Sequence, residues 1–207
     1  MAHVRGCSLT LLLALALGGC AAGPEREARP GWVDGGEPAD HPREGWLTGT
    51  GRADTLAAAR DRARAELARS FRVRVESESR EVTRLEAGEL EQEAESRIRT
   101  RTEEVLTGVT IAETWRAPEG GAYHALAVLD RTRAARRLRQ EIEDLDGAIQ
   151  RQVEAAESAR DPLERVAALG RALEHQRARA GLQARLRVVG ATGRGVEPRW
   201  STAELAA

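Results

Sequence analysis

The chain has 207 residues, of which 41% are hydrophobic and only 3% aromatic, and its 32 basic and 33 acidic side chains leave a net charge of -1. That length suits one compact domain with an appendage, and an alanine-rich, aromatic-poor composition points to a modest core held partly by helices rather than to a large sheet sandwich. Balanced charge excludes a uniform field that would draw in nucleic acid or an anionic bilayer, so nucleic acid is not an expected partner.

Residues 1–19 read as a secretory signal: Arg5 precedes an apolar run from Leu9 to Leu17, too short for the roughly 20 residues of a spanning helix. The run closes on Leu17-Gly18-Gly19-Cys20, the form of a bacterial lipobox, with Gly18 standing where alanine or serine is commoner. Cys20 is therefore the expected lipidation site, to carry diacylglyceryl and palmitate chains. The rival reading is an unmodified cysteine in an ordinary signal peptide. Cys7 leaves with the signal and Cys20 is acylated, so no disulfide or cysteine metal site is expected. Every basic residue is arginine and asparagine is absent, a coding bias that says little about function.

Residues 20–45 form the lipidated N-terminus and a flexible tether, with Pro24, Pro30, Pro38 and Pro42 interleaved with glycines. Within it, Trp32-Val33 is an apolar knot expected to dock on the domain that follows. That domain is expected over residues 46–130. A short strand at Trp46 runs through Gly49-Thr50-Gly51-Arg52-Ala53 into a helix capped by Asp54, whose apolar face is Leu56, Ala59, Ala63 and Leu67. Phe71, Val73 and Val75 then alternate with Arg72, Arg74 and Glu76, which predicts a half-buried strand. The charged stretch from Arg80 to Glu104 carries a thin stripe of Leu85, Leu90, Ala94, Ile98 and Val105 and reads as a helix from about Glu89.

Val109–Trp115 and Tyr123–Leu129, joined through Pro118 and Gly120-Gly121, form a predicted β-hairpin. The second run is apolar on both faces and is the expected central strand. Helical spacing returns over residues 131–187 as a helical hairpin. Its second arm opens on Asp161-Pro162-Leu163-Glu164, with cap, N1 proline and N3 glutamate in place. The expected seam joins Leu138, Ile142, Leu145, Ile149 and Val153 to Leu163, Val166, Gly170 and Leu173. Ile149, Leu169, Leu182 and Leu186 are the interaction candidates, because two such helices alone are marginal and need further cover from the domain, another protomer or a separate protein. Residues 188–207 read as an irregular tail whose Ser201–Glu204 capping box comes too near the end to hold a helix.

Pro30-x-Trp32-Val33, the Gly49–Ala53 run, the alanine-rich helix with its following strand, and Gly108–Trp115 paired with Tyr123-His124-Ala125-Leu126 resemble, in that order after a lipobox, the Lpp-twenty family of bacterial lipoproteins. The resemblance spans Cys20 to Asp130. It implies an outer-membrane lipoprotein with a small α+β periplasmic domain, related to accessory proteins of flagella and secretion, and it does not imply an enzyme.

The residues suggest no chemistry as plainly as Cys20 suggests an anchor. Gly49-Thr50-Gly51 before a helix resembles a phosphate cradle, but Asp54 occupies the third glycine position, and a tight turn is preferred. His41, His124 and His175 show no ligand spacing, and the glutamates from Glu86 to Glu95 lie among arginines as a solvated face would. No catalytic, cofactor or metal residues are therefore assigned. The fold expected is α+β: a small three- to four-stranded sheet packed with one or two helices, followed by a C-terminal helical hairpin. The function expected is a non-enzymatic structural, assembly or interaction module, lipid-anchored at the outer membrane, facing the periplasm and meeting a protein partner or a second copy. Two rivals are an accessory regulator of a cell-wall synthase or a secretion or flagellar channel, and a ligand-binding or hydrolytic domain with a cleft at Tyr123 and His124.

Overall fold

The computed structural model describes residues 28–86, 108–118, 120–190 and 192–206. Cys20 with its signal, the first part of the tether and the charged helix expected from about Glu89 lie outside the described residues. The protein is α+β, as its sequence predicts. Three strands, β1 (Trp46–Ala53), β2 (Thr110–Arg116) and β3 (Tyr123–Asp130), form an antiparallel sheet in the order β1-β3-β2. The doubly apolar strand is indeed central. Ala125, Ala127 and Leu129 point to one face and Leu126 and Val128 to the other, and each belongs to a separate core cluster. β1 pairs with β3 from Trp46 opposite Asp130 to Ala53 opposite Tyr123. β2 pairs on the other side with an irregularity between Ile111 and Glu113.

Helix α1 (Leu56–Glu86) covers the first face. Thr55, rather than Asp54, caps it: the Ala58 N–H donates to Thr55 Oγ1 at 3.3 Å. The strand expected at Phe71–Val75 is absent, because α1 runs through it. Ala59, Ala63, Leu67, Phe71 and Val75 recur every four residues and are all buried, whereas Val73 is 55% exposed. The alternation of valines imitated period two, but each extra helical turn extends a nucleated helix and buries another side chain on the same stripe. That gain outweighs the few tenths of a kcal/mol by which β-branched residues disfavour helix.

Gly49 and Gly51 do not make a tight turn either; both lie within extended β1. A Cβ on Gly51 would stand 2.2 Å from the Ala59 carbonyl oxygen, and one on Gly49 would stand 2.5 Å from the Leu67 nitrogen. The glycines serve close approach of helix backbone to strand backbone.

β3 passes directly into α2 (Arg131–Ser158), where Asp130 caps by accepting from Arg133 N–H at 2.9 Å. After a short turn α3 (Pro162–Val189) returns, capped by Asp161 through Leu163 N–H at 2.9 Å with proline in its first turn. The two form the expected helical hairpin. Its base joins the sheet's core, where Leu138, Ile142, Leu182, Leu186 and Val189 cluster with Phe71 and Val75 of α1. Arg187 of α3 also pairs with Glu78 of α1 at 3.2 Å.

Candidate functional site

Three of the four interaction candidates on the hairpin are covered by the chain itself. Ile149, Leu182 and Leu186 are buried and Leu169 is half-buried. On α2 the predicted stripe holds, since Leu138, Ile142, Ile149 and Val153 are buried and Leu145 is partly so. On α3 the phase is wrong. Leu163 and Val166 are 77% and 67% exposed and Gly170 is exposed as well, while Leu173 is half-buried in the seam; the buried positions are Ala168, Ala172, Gln176, Arg179, Leu182, Ala184, Arg185, Leu186 and Val189. The larger apolar residues misled the reading. Tracing the stripe back from Leu182 and Leu186 in steps of three and four reaches the alanines, whose small size lets the helices approach.

The missing cover comes from the C-terminal segment, which is not the frayed end its length suggested. Gln176, Arg179 and Gln183 lie at helical spacing on α3 and bind its backbone in turn. Gln183 Oε1 accepts from Val196 N–H at 3.1 Å, Arg179 Nη2 donates to the Val196 and Glu197 carbonyls at 3.2 and 3.1 Å, and Gln176 Nε2 donates to the Trp200 carbonyl at 2.7 Å. Arg179 also forms a two-pronged pair with Asp146 of α2, at 2.6 and 3.2 Å. Such a fork suits a buried guanidinium, whose charge needs both a counterion and hydrogen bonds. The segment ends in α4 (Thr202–Ala206), opened by a reciprocal box in which Glu204 N–H donates to Ser201 Oγ and Ser201 N–H to Glu204 Oε2. Those bonds hold the Glu204 carboxyl below its usual range. Leu205 then inserts between Ile149, Val153 and Ala172. Tertiary burial holds a five-residue helix that would be unstable alone.

The second face of the sheet is covered by the residues before β1. A single 3-10 turn at Gly31–Asp34 places Trp32, 3% exposed, against Trp115, Leu126 and Val128. The apolar knot docks as expected, and Trp32 Nε1 donates to Glu113 Oε2 at 2.5 Å. His41 meets the edge of Trp46 at 4.7 Å and stands 4.0 Å from Glu113 Oε1. His124 lies 5.5 Å from the Trp115 ring, over which Arg29 is stacked at 5.6 Å. Burial first, then the Arg52 and Arg29 charges, lowers the His124 pKa, against an opposing effect of Asp34.

The cleft expected at Tyr123 and His124 does not form. Neighbouring residues on a strand face opposite sides: Tyr123 packs toward the α1 core with Arg116 stacked over its ring at 4.8 Å, while His124 joins the Trp115 side. His175 lies apart on α3. Among the described residues no group of three or more histidine, cysteine, aspartate or glutamate side chains is placed to hold a metal, and no helix is long and apolar enough to cross a membrane.

Residues 30–130 match the LPP20 lipoprotein family, from Pro30, beside the docked Trp32, to Asp130, the last residue of β3. This bears out the resemblance read from the sequence, and the match ends where the helical hairpin begins. No curated protein matches the chain. A crystal structure of the secreted protein HP1454 from the human pathogen Helicobacter pylori is similar at 19% identity and a TM-score of 0.35, covering 65% of this chain. The chain spans about half of that protein, 52% of its length.

Proposed function

We propose that the protein is a lipid-anchored lipoprotein of the outer membrane whose sheet module and strapped hairpin form a non-enzymatic interaction or assembly unit on the periplasmic side. The observation that carries this reading is order along the chain: a lipobox ending at Cys20 stands shortly before an LPP20 module over residues 30–130. One acyl chain anchors a protein only marginally, whereas several make release slow. Ala21 follows the cysteine in place of the aspartate that often signals inner-membrane retention, which favours passage to the outer membrane. The helical hairpin lies beyond the family match and is the part expected to distinguish this chain's partner from those of its relatives.

Metabolic labelling with a palmitate analogue, followed by density separation of the two membranes, tests the anchor. Wild type is expected to be labelled and to travel with the outer membrane, and Cys20→Ala to lose the label. Recovery of unlabelled wild type in the soluble periplasm would overturn the proposal. In-cell crosslinking of the lipidated protein tests the interaction role, with recurrent capture of one envelope protein or of a second copy expected. Crosslinks no different from those of an unrelated lipoprotein would count against it.

A further inference from the structure

A cavity of about 280 Å³ opens where β1, α1 and the first residue of α2 meet. Arg43, Arg74 and Arg131 line it together with Thr48, Ser70 and Trp46, over apolar walls of Leu47, Leu67 and Phe71, and no carboxylate is among its lining residues. The three arginines differ in their bonding. Arg131 is fixed: Nε donates to the Arg43 and Trp46 carbonyls at 2.9 and 3.4 Å, and Nη1 donates to the Val188 and Val189 carbonyls at 3.0 and 3.2 Å. Its Nη2 makes no hydrogen bond among the described residues. The Arg43 and Arg74 side chains make neither a hydrogen bond nor an ion pair there, and Glu37 accepts from the Arg43 backbone N–H, at 2.6 Å, rather than from its guanidinium. The Thr48 and Ser70 hydroxyls are likewise without side-chain partners among the described residues.

Arginines at other contacts between elements have carboxylate partners, as Arg179 has Asp146 and Arg187 has Glu78. The Arg74 charge acts on Arg131 with no carboxylate among the lining residues, and an arriving anion relieves that repulsion. Burial and then the Arg74 charge lower the Arg131 pKa, consistent with uncompensated charge. Guanidinium forks match the paired oxygens of a phosphate, and a phosphomonoester or inorganic phosphate, with up to about two negative charges, offsets the arginine charge better than a carboxylate does. We propose that this cavity binds a phosphate group, with Arg131 as the preset donor, Arg43 and Arg74 closing on the oxygens, and the Thr48 and Ser70 hydroxyls completing the shell. The site holds whether or not Cys20 is acylated.

Two sources supply such a group, a small phosphorylated solute or an anionic phospholipid headgroup. The test uses the full chain in a neutral maltoside detergent. Equilibrium dialysis with labelled inorganic phosphate is expected to show one saturable site per chain, weakened at least tenfold by Arg74→Gln or Arg43→Gln. Arg69→Gln, on an exposed position outside the cavity, is expected to bind like wild type. Dihexanoyl phosphatidylglycerol, a soluble short-chain lipid, separates the sources. Displacement of phosphate at lower concentration than unlabelled phosphate itself assigns a lipid headgroup, and failure to displace assigns a solute. Absence of saturable phosphate binding, or binding unchanged in both variants while their circular dichroism is native, would overturn the proposal.

Discussion

The sheet layer and the hairpin are both built on long helices, but they bring their parts together in different ways. In the sheet layer α1 lies on backbone, because Gly49 and Gly51 present no side chain to Ala59, Ala63 and Leu67. In the hairpin α2 and α3 meet through alanines and aliphatic side chains, and the C-terminal segment is fastened by polar side chains that reach its carbonyls. The first region thus depends on what is absent from its residues, the second on how far its side chains reach. Glycine should accordingly be indispensable in one and replaceable in the other.

The sharpest way to break the comparison is Gly51→Val. Valine suits a strand in isolation, yet its Cβ would meet the Ala59 carbonyl oxygen, so the variant is expected to lose about 4 kcal/mol or more in urea unfolding. A near-native midpoint would show that α1 does not rest on the β1 backbone. Trp32→Ala comes next, with an expected loss of about 3 kcal/mol, because it empties the second face and leaves Glu113 without its indole donor. The same midpoint in the variant and the wild type would mean that the N-terminal turn does not cover the sheet.

In the hairpin, Arg179→Leu leaves Asp146 without its partner and frees the carbonyls of residues 196 and 197. Because Asp146 is partly exposed, a loss of about 2 kcal/mol is expected, less than for a fully buried pair. It should be accompanied by faster proteolysis after Val189; an unaltered cleavage rate would refute the strap. Gly170→Ala tests the contrast in the other direction. A Cβ there meets nothing within 4 Å, and alanine is expected to raise stability by about 0.5–1 kcal/mol through its better helix propensity. Destabilisation would place an unseen neighbour on that face.

The smallest effect is electrostatic. The folded pKa of His124 is lowered from the ordinary 6.5, so below that value the unfolded chain binds more protons than the folded one. Its contribution is fully present above pH 6.5 and is lost as pH falls toward and through the lowered folded value. His124→Gln should flatten thermal stability across that window, and an identical pH profile would remove His124 from the balance.

The α1 segment shows where local reading stops. Leu67, Phe71 and Val75 fit a helical stripe as well as Phe71, Val73 and Val75 fit a strand. Only the surfaces that cover the helical stripe, the sheet face and then the base of the hairpin, separate them. The α3 segment teaches the same through volume: Leu163 and Val166 look like core until the close approach at Ala168 and Ala172 turns them outward.

Residue order alone determined the β2–β3 hairpin, the doubly apolar central strand, the helix cap at Asp161, and the family resemblance. These rest on turn chemistry, side-chain alternation and short-range hydrogen bonding, all confined to a few neighbouring residues. Tertiary structure decided the phase of α3, the purpose of Gly49 and Gly51, the Arg179–Asp146 pair across 33 residues and the gathering of Arg43, Arg74 and Arg131 around one cavity. Each of those depends on which surfaces meet at contact distance. Spacing within one segment does not encode that distance, because the partner lies in a distant part of the chain and is brought close only by burial of the shared core.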